Sequence, residues 1–130
     1  MIVDSTVWID YLHAVQNPET AWLDAELDRQ RLALTDVILC EVLQGVRDDD
    51  AATEVDELLR KFEVFETGGI ALAREAARNY RMLRKRGHTV RKTIDCLIAT
   101  FCLREGHSLL HRDRDFDAFE NVLELSVVHP

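Results

Sequence analysis

Met1-Ile2-Val3-Asp4-Ser5-Thr6-Val7-Trp8-Ile9 opens the chain, and the reading of this stretch decides the fold. Ile2 and Val3 are β-branched and apolar, which suits a short buried strand. From Ser5 onward Val7, Ile9, Tyr11 and Leu12 take a helix-like spacing, so Asp4 stands where a strand hands over to a helix. Ligands of open parallel sheets gather beyond the carboxyl ends of the strands, which makes an acid at this point a candidate for chemistry. Taken singly, a local capping role is the simpler account of it.

Working outward, the chain keeps alternating strand and helix signals. Short strands are expected at Leu32 to Leu34, Phe62 to Phe65, Ser108 to Leu110 and Leu125 to Val128. Helices are expected from Thr20 to Gln30 after the Asn17-Pro18 break, from a Thr35 cap through Val46, and from Thr53 to Lys61. Two more run from Ile70 to Arg86 and from a Thr93 cap through Leu103, with Gly87 and Gly106 as stops. Gly68-Gly69 reads as a turn, Asp48-Asp49-Asp50 as an acidic turn or helix start, and Asp115 to Glu120 as a short helical turn. This alternation predicts an α/β fold with a central, mainly parallel sheet.

Composition bounds the rest. At 130 residues and 47% apolar, the chain has material for one core, and residues 1–130 read as a single domain. Apolar runs such as Val37 to Cys40 stop far short of the roughly 20 residues of a membrane-spanning helix. The opening lacks the pattern of a secretory signal, so a cytoplasmic protein is expected. Cys40, Cys96 and Cys102 form no CxxC pair and read as buried, reduced thiols. No P-loop, GxGxxG, GxSxG or HExxH pattern is present.

A net charge of −8 is awkward for a nucleic-acid enzyme, because phosphate binding relies on Lys and Arg. The charge is segregated, however. Arg74 to Lys92 holds eight of the sixteen basic residues and one acid, giving +7 there and −15 elsewhere. Arg84, Arg86, Arg91 and Lys92 are the candidates for an RNA backbone, with a merely solvated face as the equal alternative.

Four acids stand out together. Asp113 follows the Ser108 to Leu110 strand as Asp4 follows the first, so neighbouring strands would put both on one rim. Glu41 interrupts a helical face formed with Val37, Ile38 and Gly45, and Asp95 does the same beside Ile98, Ala99 and Cys102. Buried ion pairs with arginine would explain Glu41 and Asp95 equally well. Four clustered carboxylates repel one another unless a cation neutralises them, and hard oxygen donors select Mg2+ or Mn2+. Such a cluster suits phosphodiester hydrolysis. Ser5 and Thr6 read as capping residues or supports of the site, and Asp115 as a supporting acid. His111 and His129 read as ordinary polar residues.

The opening stretch resembles that of PIN domains. Glu41-Val42-Leu43-Gln44-Gly45, Asp95-Cys96-Leu97-Ile98-Ala99 and His111-Arg112-Asp113-Arg114-Asp115-Phe116 resemble the family's later motifs in order. The likeness is to VapC-type toxins of VapBC toxin-antitoxin pairs. It implies a three-layer α/β/α fold and a Mg2+- or Mn2+-dependent endoribonuclease acting on structured RNA such as tRNA or rRNA. It also implies Asp4 and Asp95 as metal ligands, Glu41 and Asp113 completing the site, and Thr6 and Asp115 supporting it, with the fourth acid left between Asp113 and Asp115. A homodimer and a VapB-like antitoxin are implied as partners, with Trp8, Tyr11, Leu12 and Trp22 suited either to that contact or to the core.

Rival classes fit less well. A haloacid-dehalogenase-type phosphatase wants a second Asp where Thr6 stands, and a receiver domain wants a strand-end lysine that Lys61, Lys85 and Lys92 do not supply. The remaining alternative is a non-catalytic PIN-fold module that binds RNA or protein.

Overall fold

A computed structural model describes all residues 1–130. Four short strands, β1 (Ile2–Val3), β2 (Ala33–Thr35), β3 (Glu63–Phe65) and β4 (Leu109–Leu110), form one sheet in the order β3-β2-β1-β4. Every pairing is parallel, with Ile2 opposite both Ala33 and Leu109, and Val3 opposite Leu110. Successive residues of β1, β2 and β4 are buried, so both faces of the central strands are covered by helices. The expected three-layer α/β/α architecture is what the chain adopts.

The helices are α1 (Ser5–Leu12), α2 (Pro18–Glu26), α3 (Asp36–Gln44), α4 (Asp49–Leu59), α5 (Gly69–Lys85), α6 (Thr93–Glu105) and α7 (Asp117–Leu123), with a 3-10 turn at Arg114–Phe116. Several starts are written in cap chemistry. Asn17 and Thr20 satisfy each other's backbone amides in a capping box with Pro18 at the first helical position, so α2 begins two residues before Thr20. Thr35 caps α3 through the Ile38 amide, and Asp48 caps α4 through that of Ala51, which starts α4 before Thr53. Gly106 closes α6 at φ 72°, a left-handed conformation that glycine adopts without Cβ strain.

Three expectations need correction. Thr93 is not a cap: Lys92 holds that position and makes no side-chain capping bond. The strand expected at Leu125 to Val128 shrinks to one bridge between Val127 and Leu109. Cys40 is exposed, whereas Cys96 and Cys102 are buried, and burial pushes their thiols up to about 11 and about 12.

One cluster of 25 buried apolar residues packs the sheet against the helices. Trp8 lies fully inside it with its ring 5.1 Å from that of Phe62, which removes it from any partner surface. Tyr11, Leu12 and Trp22 are only partly buried. No helix is long and apolar enough to cross a membrane.

Candidate metal centre

The strand order runs from β1 to β2 and β3 on one side and places β4 on the other, so connections diverge between β1 and β4. A crevice at the carboxyl ends of such strands is where open sheets bind ligands. Asp4 follows β1 and Asp113 follows β4, and the Asp4 amide donates to the Leu110 carbonyl at 2.9 Å. The two strand-end acids therefore share one rim. Asp95 reaches the same place from the first turn of α6, where the helix N-terminus favours an anion.

Single ligand atoms of Asp95, Asp113 and Asp115 lie within 4.8 Å of one another. Asp4 adjoins Asp95 closely enough for its charge to raise the Asp95 pKa, and Glu41 acts in the same way on Asp4. Asp95, Asp113 and Asp115 thus form the tight group, with Asp4 adjoining Asp95 and Glu41 adjoining Asp4.

Hydrogen bonds brace these side chains. Thr6 donates its hydroxyl to Asp4 Oδ2 at 2.7 Å and its amide at 3.2 Å, while its oxygen accepts from the Arg112 amide at 3.1 Å. Thr6 therefore links β1 to the loop after β4 rather than capping α1, and Asp4 provides the cap. Ser5 donates to Glu41 Oε1 at 3.1 Å. Asp113 accepts from the Asp115 amide at 2.9 Å, and His111 Nδ1 accepts from the Asp113 amide at 3.0 Å. That role of His111 has no local signature in the sequence, because it depends on the turn after β4.

The electrostatics show an anionic site under strain. Burial, against the hydrogen bonds from Thr6, pushes Asp4 up to about 6. Burial also raises Asp95, reinforced by the charges of Asp4 and Asp113. Burial works upward on Asp113 too, but the Lys92 hydrogen bond and the Asp115 amide outweigh it and hold its carboxyl below the usual range. Buried oxygens on three acids, Asp4 Oδ1, Asp95 Oδ2 and Asp115 Oδ2, accept no hydrogen bond. Unsatisfied carboxylate oxygens of this kind are costly unless a cation meets them. The donor set is all oxygen, and the buried Cys96 thiol stays protonated, so the residues fit a hard divalent ion.

Two of the basic residues expected on an RNA face pair with these acids. Lys92 Nζ lies 2.6 Å from Asp113 Oδ2 and 3.9 Å from Asp95 Oδ2, and Arg91 Nε lies 3.2 Å from Asp115 Oδ1. The spacing of Lys92 three residues before Asp95 was the available signal. Arg84 and Arg86 are exposed at the end of α5 and just beyond it, away from any ion pair, with Arg84 over the Tyr80 ring at 5.7 Å.

Comparison with known proteins bears on this centre. The PIN-domain family model matches residues 1–122. The chain belongs to the PIN-domain family. Among its relatives, ribonuclease VapC11 of Mycobacterium tuberculosis and the VapC ribonuclease Mb1587 of Mycobacterium bovis are each 31% identical over 127 residues, covering 96% of this chain and 95% of theirs. This PIN domain also superposes on VapBC2 from Rickettsia felis, bound to a promoter DNA fragment, with a TM-score of 0.74 at 13% identity, covering 98% of this chain and 96% of that one. VapBC-1 from nontypeable Haemophilus influenzae gives 0.74 at 16% identity over 98% and 95%. These structural likenesses speak for the shared PIN fold.

Proposed function

We propose that this PIN domain is a metal-dependent endoribonuclease and the toxin of a type II toxin-antitoxin pair, acting in the cytoplasm. The observation that carries the metal reading is the set of unsatisfied buried oxygens on Asp4, Asp95 and Asp115 beside Asp113. Asp4 and Asp95 would hold Mg2+ or Mn2+ directly, with Glu41 and Asp113 completing the site and Asp115 in reserve as the fourth acid. A divalent ion there supplies positive charge for a phosphoryl oxygen and acidity for a water. Thr6, Ser5 and His111 fix the acids, so little reorganisation is needed when substrate arrives. Hydrolysis adds water across one P–O bond of the phosphodiester, leaving a phosphate monoester and an alcohol.

Arg84 and Arg86 suit an RNA backbone, because they are exposed and free of acidic partners. A mostly apolar groove lies between α5 and α6, with Arg81 of α5 and Thr93 of α6 among its lining. The ribonuclease names of the relatives support an RNA substrate, and the VapBC structures support a VapB-like antitoxin as partner; a structured RNA of the tRNA or rRNA class and a homodimeric toxin complete the proposal on the family resemblance alone.

The test is cleavage of total RNA by the purified chain in Mg2+, Mn2+ or EDTA, beside Asp4→Asn and Asp95→Asn. Cleavage that requires the ion and disappears in both folded variants is expected. Full activity in either variant removes that acid from the centre, and metal-independent cleavage overturns the reading.

A further inference from the structure

Lys92 is the one lysine that touches the acids, and its position is unusual for a residue beside a metal centre. Its ammonium, 2.6 Å from Asp113 Oδ2 and 3.9 Å from Asp95 Oδ2, stands on two of the three carboxylates that cluster within 4.8 Å. A divalent ion held by Asp95 and Asp113 draws on the same negative charge, and two cations sharing it repel each other. One of them must give way.

The geometry says which. The Lys92 side chain is about half exposed at 53%, while those of Asp95 and Asp113 are 4% and 9% exposed. Lys92 sits at the N-cap of α6 and makes no capping bond, so its flexible stem can swing out without disturbing the helix. Asp95 and Asp113 are held by the first turn of α6 and by the Asp115 amide. Arg91, one residue earlier, pairs with Asp115, so consecutive basic residues balance the acids facing them, while Asp4 adds its charge to Asp95 and Glu41 to Asp4.

We infer that Lys92 is an internal cation of this centre: divalent-metal binding displaces its ammonium from Asp113, and this competition sets the affinity for the ion. The inference rests on the metal-site reading above. Metal-free, the lysine holds the acidic crevice together. Loaded, the centre releases it to solvent.

The experiment is calorimetric titration of the full chain with Mn2+ for wild type, Lys92→Met and Lys92→Arg, with melting curves in EDTA and in saturating Mn2+. Lys92→Met is expected to bind Mn2+ roughly tenfold more tightly, the low end of what a unit charge beside a half-exposed site is worth. By linkage it melts lower than wild type in EDTA, and the gap closes in Mn2+. Lys92→Arg keeps the charge and stays close to wild type. Wild-type binding with unchanged or weaker affinity in Lys92→Met overturns this inference alone. Absence of Mn2+ binding by wild type overturns the metal-site reading and this inference with it.

Discussion

Replacing Asp4 by asparagine tests the electrostatic account of the centre without relying on catalysis. Asp4 is 2% exposed, and its pKa rises from the ordinary 3.8 to about 6, chiefly through burial. Each pKa unit is worth about 1.4 kcal/mol, so ionising Asp4 in the folded, metal-free chain costs about 3 kcal/mol. Because the folded value lies above the unfolded one, the native state binds the extra proton between pH 3.8 and about 6. This contribution to stability is complete below pH 3.8, falls through that window and is gone above about 6. Asparagine keeps the size and an oxygen to accept from Thr6, yet carries no charge. In EDTA the two proteins should match near the acid end of the window, whereas at neutral pH Asp4→Asn should be more stable by about 3 kcal/mol, roughly 10 °C in Tm. Saturating Mn2+ should reverse the order at neutral pH, since only wild type gains from the ion. Urea unfolding at several pH values, with and without Mn2+, reads all of this. A stability difference that does not change with pH would refute the reasoning.

Two further outcomes follow from contacts around the centre. Replacing Arg84 and Arg86 with alanine should weaken RNA binding, lower the slope of log affinity against log salt by about 2, and leave Mn2+ affinity unchanged; an unchanged slope would make this face a solubilising surface. Thr6→Val removes the hydroxyl between Asp4 Oδ2 and the Arg112 amide, and should lower RNA cleavage about 10- to 100-fold at unchanged secondary structure. Retention of full cleavage, measured beside circular dichroism, would show that Asp4 needs no such brace.

Much of the centre was legible because its acids violate local expectation. Asp4 ends an apolar pair, and Glu41 and Asp95 interrupt apolar helical faces, so each could be found without knowing what it meets. What the sequence could not supply was adjacency. That β4 lies beside β1, bringing Asp113 to Asp4, is a fact of strand order, and no periodicity encodes it. The errors have local causes. Asn17-Pro18 is both a break and a helix start, and only the capping box with Thr20 decides between them. Leu125 to Val128 has strand composition, but pairing there stops at one bridge because β4 itself is two residues long. Cys40 follows an apolar run, yet lies on the outer side of α3, since one helix face must meet solvent.

The same logic applies to charge, where the linear count misled in a useful way. The segment from Arg74 to Lys92 carries +7, and Arg84, Arg86, Arg91 and Lys92 read alike as candidates for an RNA backbone. The structure separates them: Arg91 and Lys92 face Asp115 and Asp113, and within this segment the basic residues of α5 and Arg86 remain exposed without acidic partners. A run of positive charge therefore divides into two physical parts. The helical part is available to an external polyanion, while the part at the start of α6 is engaged by the chain's own carboxylates. A divalent ion that takes over the acids would shift Lys92 from the second part to the first, so the positive charge offered to a phosphate backbone would rise when the centre fills. An acidic protein can in this way offer RNA more positive charge once its metal centre is filled.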